Sequence, residues 1–408
     1  MTGVRHVALV SEHASPLAAL GGADAGGQNV YVASLAGALA DLGCLVTVYT
    51  RRDSTSLPSR VPLVPGVVVE HVDAGPPQQI PKDELFPHMA AFAEHLCRTW
   101  RRRPPRVVHA HFWMSGMASL QAVRSMARSI PMIQTFHALG TVKRRHQGAA
   151  DTSPVQRDAT ERVLARNVDR VVATCTDEVH ELVALGADPA RVRVVPCGVD
   201  PAFVPEGPAA ARVPGLRRVV VVSRLVPRKG VDDVIRALAG IDDVELVVAG
   251  GPPAPLHRHD PEVRRLQRVA TRAGVMVDFR GGLPRAEVAA LMRSADVVAC
   301  TPWYEPFGIV PVEAMACGVP VVGSAVGGLL DTIVDGRTGL LVPPRDPLAV
   351  RRAIEALLED LALRRRLGRA AAARADRRYR WELVARETLG VYDETAAAGA
   401  LENPAVLA

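Results

Sequence analysis

The chain has 408 residues, 48% hydrophobic and 4% aromatic, with a net charge of +6 at neutral pH and a mean hydropathy of +0.11. That length holds two domains of ordinary size, and no apolar run is long enough to span a bilayer, so no integral membrane segment is expected. The basicity is diffuse and the aromatics are few, which argues against a nucleic-acid partner and fits an anionic small ligand. The N-terminus lacks a basic-then-apolar leader, because Arg5-His6-Val7 already runs into a core strand, so a cytoplasmic location is expected. Six cysteines stand at 44, 97, 175, 197, 300 and 317 without a C-x-x-C pair. They read as small buried hydrophobes of a reducing compartment.

Strand-like runs alternate with amphipathic helical stretches throughout, the signature of an α/β fold with parallel sheets. The first unit is a strand Val7–Ser11, a Gly-rich loop Glu12–Gln28, a helix near Asn29–Leu42 and a strand Leu45–Tyr49. Strands follow at Val107–His111, Ile133–Phe136, Arg170–Thr174 and Val192–Pro196. Residues 1–203 therefore form one Rossmann-like domain, and the Pro/Gly/Ala-rich stretch 204–214 reads as a linker. A second Rossmann-like domain spans 215–380. It has strands at Arg218–Ser223, Glu245–Ala249, Val275–Arg280, Val297–Thr301 and Val319–Val322. Its helices lie near Asp232–Leu238, Pro261–Ala273 and Pro284–Arg293, with Arg-rich helices after Asp346. A last helix at 381–395 comes after the second sheet is complete and is expected to pack back on the first domain. Residues 396–408 read as a tail.

The richest stretch is Tyr304-Glu305-Pro306-Phe307-Gly308-Ile309-Val310-Pro311-Val312-Glu313-Ala314-Met315-Ala316-Cys317-Gly318. Pro311 suits a first helical turn and Gly318 a C-terminal cap. A helix N-terminus offers backbone N–H groups to phosphate, and Glu305 and Glu313 can accept hydrogen bonds from sugar hydroxyls. The segment has the parts to grip a nucleotide sugar. Ser223-Arg224-Leu225-Val226-Pro227-Arg228-Lys229-Gly230 joins a strand to a helix, and places Arg224 and Lys229 to meet a diphosphate as a fork and a point charge. Only three lysines occur, Lys82, Lys143 and Lys229. In a chain so biased to arginine, a retained lysine suits a compact charge for phosphate.

Gly26-Gly27 closes the glycine loop before the first helix, where a backbone can approach a phosphate or sugar, although a plain flexible turn has the same composition. The loop is not G-x-G-x-x-G, which disfavours a dinucleotide oxidoreductase. His137 follows a strand and either donates a hydrogen bond to a sugar hydroxyl or serves the core. His109 and His111 share one strand face, but no third metal ligand is evident. No D-x-D pair is present, so the diphosphate is expected to be neutralised by Arg224, Lys229 and helix dipoles, without metal or other cofactor. Lys82, Lys143-Arg144-Arg145-His146 and Arg157 form either an acceptor-anion site or a solvated basic face.

Together these motifs resemble the retaining glycosyltransferases of family 4, nearly end to end. The nearest branches are the inositol-phosphate N-acetylglucosaminyltransferases of mycothiol biosynthesis and the sucrose synthase and sucrose-phosphate synthase branch, which share a Gly-Gly-Gln-x-Val-Tyr signature. The resemblance implies a GT-B fold, two Rossmann-like domains facing across a cleft. It implies transfer of a hexose of the glucose or N-acetylglucosamine type from a nucleotide diphosphate sugar, UDP-linked, to a hydroxyl of a polyol, sugar or sugar-phosphate. It assigns Arg224 and Lys229 to the diphosphate, Glu313 to the ribose and the backbone near Arg280 to the base. Glu305 and the N–H groups of Phe307, Gly308 and Ile309 take the hexose, with His137 near the anomeric centre. Gly26 and Gly27 complete the donor set; His137, Arg224, Lys229 and Glu305 form the catalytic set.

On the acceptor side Lys82 and Arg157 match that branch. Phe112 stands where a tyrosine is expected and Ala138 where a threonine is expected, so two hydroxyl ligands are lost while the charges remain. The acceptor is left open by that departure. The mycothiol branch also suggests a homodimer. Rival readings are a nucleotide-sugar 2-epimerase of the same architecture, a GDP-mannose-dependent mannosyltransferase and a degenerate nucleotide-sugar binder. The epimerase needs acid/base carboxylates around the hexose, whereas Gly26-Gly27 with Glu305 and Glu313 favours transfer.

Overall fold

The computed structural model describes residues 5–18 and 26–402, and divides them between two compact units. Unit 1 holds the chain up to Gly198 and returns at Trp381; unit 2 runs from Val199 to Arg380. Residues 204–214, read as a linker, thus belong to unit 2. Within them Ala210 N–H donates to the Ala290 carbonyl at 2.9 Å.

Unit 1 begins with β1 (Arg5–Val10), α1 (Gly27–Asp41), β2 (Cys44–Arg51), β3 (Arg60–Val64), β4 (Val67–Val72) and α2 (Met89–Arg102). It continues with β5 (Val107–His111), α3 (Trp113–Arg124), β6 (Met132–Thr135), α4 (Gly140–Gln147), α5 (Arg157–Asn167), β7 (Arg170–Ala173), α6 (Thr176–Ala184) and β8 (Val192–Val194). The strands form one sheet in the order β3-β4-β2-β1-β5-β6-β7-β8, parallel except for the β3–β4 pair. That hairpin is absent from the sequence reading. Pro62 breaks the apolar signal of β3, and a proline is tolerated there because β3 is an edge strand.

Unit 2 comprises β9 (Arg217–Val222), α7 (Val231–Ala237), β10 (Val244–Ala249), α8 (Pro261–Ala273), β11 (Val277–Gly281), α9 (Arg285–Arg293) and β12 (Val297–Cys300). After these come α10 (Ile309–Ala316), β13 (Val321–Ser324), α11 (Leu329–Thr332), β14 (Gly339–Val342), α12 (Pro347–Glu359) and α13 (Leu361–Arg378). The sheet is wholly parallel, ordered β11-β10-β9-β12-β13-β14. Its inner strands β9, β10, β12 and β13 are buried, and so read as continuous valine runs such as Val219–Val221. Local signals set the helix ends. In α8, Asp260 accepts from Glu262 and Val263 N–H at 3.0 and 2.8 Å, Pro261 opens the first turn, and Gly274 ends it at φ 67°.

The last helix, α14 (Trp381–Glu402), belongs to unit 1. It runs beyond Ala396, so the tail expected from 396 is helical through Glu402. Trp381 packs edge-on to Tyr31 of α1 with ring centroids 5.3 Å apart, and Arg5 of β1 pairs with Asp393 at 3.2 Å. A chain return is legible from sequence; its length is not, because the alanine-rich end carries no stop signal.

In both sheets the strand order reverses beside the first strand of the unit: β1 lies between β2 and β5, and β9 between β10 and β12. Open α/β sheets bind ligands at the carboxyl ends of strands at this reversal. The loops after β1, β5, β6, β9 and β12 carry most of the residues singled out above.

Candidate active site

In unit 2 the β9–α7 loop ends in a single 3₁₀ turn, Pro227–Lys229, and then Gly230 at φ 65°. A Cβ at 230 would lie 2.0 Å from the Thr301 carbonyl oxygen, so only glycine lets this loop pack against the end of β12. Thr301 Oγ1 donates to the Gly230 carbonyl at 2.9 Å. This packing sets Lys229 beside the β12–α10 loop, where its Nζ donates to Oε2 of Glu305 in a half-buried ion pair. Arg224 lies exposed earlier in the same loop.

The Glu305–Gly308 turn is held from behind by two glycines. Gly328 N–H donates to the Glu305 carbonyl at 3.0 Å, and a Cβ at Gly327 or Gly328 would strike the backbone of Glu305 or Phe307. Phe307 is buried against Tyr379, with ring centroids 6.1 Å apart. Gly308 adopts φ 92° and caps α10, whose first turn contains Pro311. The leading N–H groups of a helix have no partner inside it, so the start of α10 at Ile309, just after Phe307 and Gly308, offers backbone donors at the end of the loop that carries Glu305. A set of cation, carboxylate and helix N-terminus fits a sugar diphosphate.

Glu313, one turn inside α10, is buried and accepts from Nη2 of Arg285 at 2.9 Å. Burial pushes its carboxyl up to about 7, with Arg285 pulling in the opposite direction. Nε of Arg285 also donates to Asp200 at 3.0 Å, and its guanidinium lies 5.0 Å from the Phe203 ring. Arg285 escapes sequence reading because a lone arginine opening an amphipathic helix looks like a solvated face. The Arg280 side chain is exposed and pairs with Asp278 at 2.5 Å; its strand end is fixed by Gly250 N–H donating to the Gly281 carbonyl at 2.7 Å.

Unit 1 gathers the residues expected on the acceptor side. Phe112 follows β5 and caps α3 with φ 81° and ψ 158°, a region nearly confined to glycine, and it is 4% exposed. Nζ of Lys82 lies 5.6 Å and Cζ of Arg157 4.9 Å from the ring centroid, distances at which a cation is attracted to an aromatic ring. Arg157 is 2% exposed; its Nε donates to Glu161 at 2.8 Å, Nη1 to Ser153 at 3.2 Å and Nη2 to the Ala138 carbonyl at 2.5 Å. Lys82, Phe112, Ala138 and Arg157 are thus one cluster. The neighbouring basic run is turned to acids instead: Lys143 pairs with Asp151 at 2.9 Å, Arg144 with Asp158 at 2.8 Å and Arg145 with Glu181 at 2.6 Å.

His137 follows β6 at φ 61° and is half-buried. Burial and the neighbouring His13 lower its pKa to about 3, so the ring is neutral. Gly26 N–H donates to Asn29 at 3.0 Å, which fixes the start of α1. Gln28 on the next turn reaches the His111 carbonyl at 3.3 Å. Residues 19–25 of the glycine loop lie outside the described residues. Sequence reading also passed over Glu12 and His13, directly after β1. Glu12 is 1% exposed, accepts from Ser115 Oγ, and meets Nδ1 of His13 at 2.7 Å. His13 in turn stands edge-on to Phe112 at 4.8 Å. Position at a strand end was the available signal.

Two family models match the chain: Glycosyltransferase Family 4 over residues 25–203, and Glycosyl transferases group 1 over residues 209–374. The chain is 40% identical to the D-inositol 3-phosphate glycosyltransferase of Kribbella flavida over 95% of both chains. It is 38% identical to that of Acidothermus cellulolyticus over 96% of this chain and 91% of the other. Among solved structures, sucrose-phosphate synthase from Thermosynechococcus elongatus superposes with a TM-score of 0.87 at 32% identity, over 97% of this chain and 100% of that one. HepE of Anabaena in complex with UDP and glucose shares the fold at a TM-score of 0.71 and 20% identity, over 95% of this chain and 99% of that one. The chain belongs to glycosyltransferase family 4: it is a GT-B enzyme that transfers a glycosyl group.

Proposed function

We propose that this enzyme moves a glucose- or N-acetylglucosamine-type hexose from UDP to a hydroxyl of an anionic polyol or sugar, with retention at the anomeric carbon. The observation that carries the donor side is the Lys229–Glu305 ion pair at the N-terminus of α10. Lys229 and Arg224 take the diphosphate, and Glu305 with the first N–H groups of α10 takes the hexose. Glu313, held by Arg285, takes the ribose. Charge grows on the leaving phosphate in the transition state, and fixed cations there lower the barrier most. The leaving oxygen then receives the acceptor's proton, so the reading needs no protein base and no metal.

The acceptor set supports an anionic partner. Lys82 and Arg157 flank Phe112, while neither Phe112 nor Ala138 carries a hydroxyl. An acceptor anion would be held by charge and by backbone, without the side-chain hydroxyls of the mycothiol branch. The names of the relatives, which act on inositol phosphate or make sucrose phosphate, agree with an acceptor bearing phosphate. A cytoplasmic location is part of this reading, supported by a nucleotide-sugar donor and by six cysteines that are thiols.

A thermal-shift panel of UDP- and GDP-sugars, followed by turnover with free and phosphorylated polyols, tests the proposal. Stabilisation by a UDP-sugar and transfer to a phosphorylated polyol with α-configuration are expected. Preference for a GDP-sugar, or epimerisation of the donor at C2 without transfer, would overturn it.

A further inference from the structure

Three histidines cluster at the C-terminal ends of neighbouring strands: His109 and His111 on β5, and His137 just past β6. The ring centroids of His109 and His111 are 4.2 Å apart, and those of His111 and His137 are 5.2 Å apart. Tyr31 closes one side, 5.6 Å from His111 and 5.0 Å from His137. Hydrogen bonding fixes which nitrogen of each ring carries the proton.

Thr135 Oγ1 donates to the Val172 carbonyl at 3.1 Å, so it must accept from Nε2–H of His109 at 2.9 Å. Nδ1 of His109 is then a bare acceptor, and it takes the Tyr392 hydroxyl proton at 2.7 Å. His109 is therefore spent on holding α14 to the sheet. His111 is buried, and its Nε2 has no partner among the described residues. An orphaned N–H is rarer in protein interiors than an orphaned acceptor, so the proton of His111 sits on Nδ1. That proton points to Nε2 of His137 at 3.1 Å. A neutral His137 that accepts at Nε2 carries its own proton on Nδ1, which makes no hydrogen bond among the described residues. The left-handed backbone of His137 marks a strained position of the kind found where a fold serves a site.

We propose that His111 is a positioning residue: its Nδ1–H donates to Nε2 of His137 and locks His137 as the Nδ1–H tautomer, which then offers a hydrogen-bond donor to a hydroxyl of the donor hexose. The proposal rests on the reading of His137 as a hexose contact. With the other tautomer, the same ring would meet that hydroxyl with a lone pair.

The test is a ring-nitrogen NMR spectrum of the full chain labelled with ¹⁵N-histidine, with His137 assigned by its loss in His137→Gln. The expected pattern is Nδ1–H at both His111 and His137. In His111→Phe the His137 signals should move toward the average of two tautomers, and kcat should fall roughly 10–100-fold with a smaller change in donor KM. His111→Asn, whose amide N–H replaces Nδ1–H, should restore most of kcat. An Nε2–H tautomer at His137 in the unmodified enzyme would overturn the proposal, and so would an unchanged kcat in His111→Phe. Should His111→Phe not fold, the spectrum of the unmodified enzyme decides alone. That spectrum needs no turnover, so it stands apart from any failure of the donor assignment.

Discussion

Arg285 and Glu313, 28 positions apart in sequence, meet through a 2.9 Å hydrogen bond inside unit 2. With Glu313 proposed to take the ribose, the pair is expected to make both stability and nucleotide binding depend on pH. Burial raises the Glu313 carboxyl from 4.5 to about 7 against the pull of Arg285. A group that holds its proton more tightly when folded favours the fold at low pH. Stability is lost as pH rises from its unfolded value toward its folded one. Glu313→Gln removes that loss, so the variant should gain on the unmodified enzyme between about pH 4.5 and about pH 7, by on the order of 3 kcal/mol at most. Urea unfolding at several pH values measures it; parallel stability profiles would contradict it.

The same pair predicts a binding effect. Ribose hydroxyls donate to an ionised carboxylate, so UDP affinity should strengthen as pH rises through about 7. In Arg285→Met the cation that favours ionisation is gone, and the midpoint should move upward. Calorimetric titration of UDP against pH reads the shift directly. An unmoved midpoint would assign Arg285 to packing on Phe203 alone.

The roles proposed for Lys229 and Glu305 predict that binding of the diphosphate and binding of the sugar can be separated by mutation. Lys229→Ala should lower kcat roughly 10²–10³-fold, as does loss of one preorganised donor at a developing negative charge. Glu305→Ala should leave UDP affinity within a few-fold while hexose transfer collapses, because the carboxylate is assigned to the hexose. Equal loss of UDP affinity in both variants would mean that the ion pair acts only as a scaffold.

Gly230 and Gly274 share a left-handed backbone, at φ 65° and φ 67°, but differ in surroundings. A Cβ at Gly230 would lie 2.0 Å from a backbone oxygen, whereas nothing stands within 4 Å at Gly274. Gly274→Ala should therefore cost about 1–2 kcal/mol, the left-handed penalty alone. Gly230→Ala should cost clearly more and also displace Lys229. Paired denaturation curves give both numbers.

These residues show what a sequence can and cannot disclose. Valine runs, the Pro311 and Gly318 signals and the glycine positions made most strands and α10 legible, since each reflects a local rule. The β3–β4 hairpin was hidden by Pro62 in an edge strand. Arg285, Glu12 and the His109–Tyr392 bond were hidden for another reason. Their meaning comes from partners 28, 103 and 283 positions away, and no local pattern encodes such a meeting. The cluster around Phe112 lay between these cases: its members are legible one by one, but the aromatic ring between two cations arises only when the fold brings Lys82 and Arg157 together.

That ring supports a prediction about acceptor choice. Phe112 is 4% exposed and has Lys82 and Arg157 against it, while the Ala138 carbonyl accepts from Arg157 at 2.5 Å. A tyrosine at 112 and a threonine at 138 would add two hydroxyl donors beside the same charges. A hydrogen bond to a charged group contributes about 1.5–3 kcal/mol, so even one productive contact corresponds to tenfold or more in affinity. Phe112→Tyr with Ala138→Thr should lower KM for a phosphorylated polyol by about that factor, with little change for the unphosphorylated polyol. Phe112→Leu should raise KM for the phosphorylated acceptor, because it removes the ring that holds both cations in place. Matched kinetics on the two acceptors separate charge from shape. An equal gain on both would show that the hydroxyls contact the polyol ring, and that the cations beside Phe112 do not hold an acceptor anion.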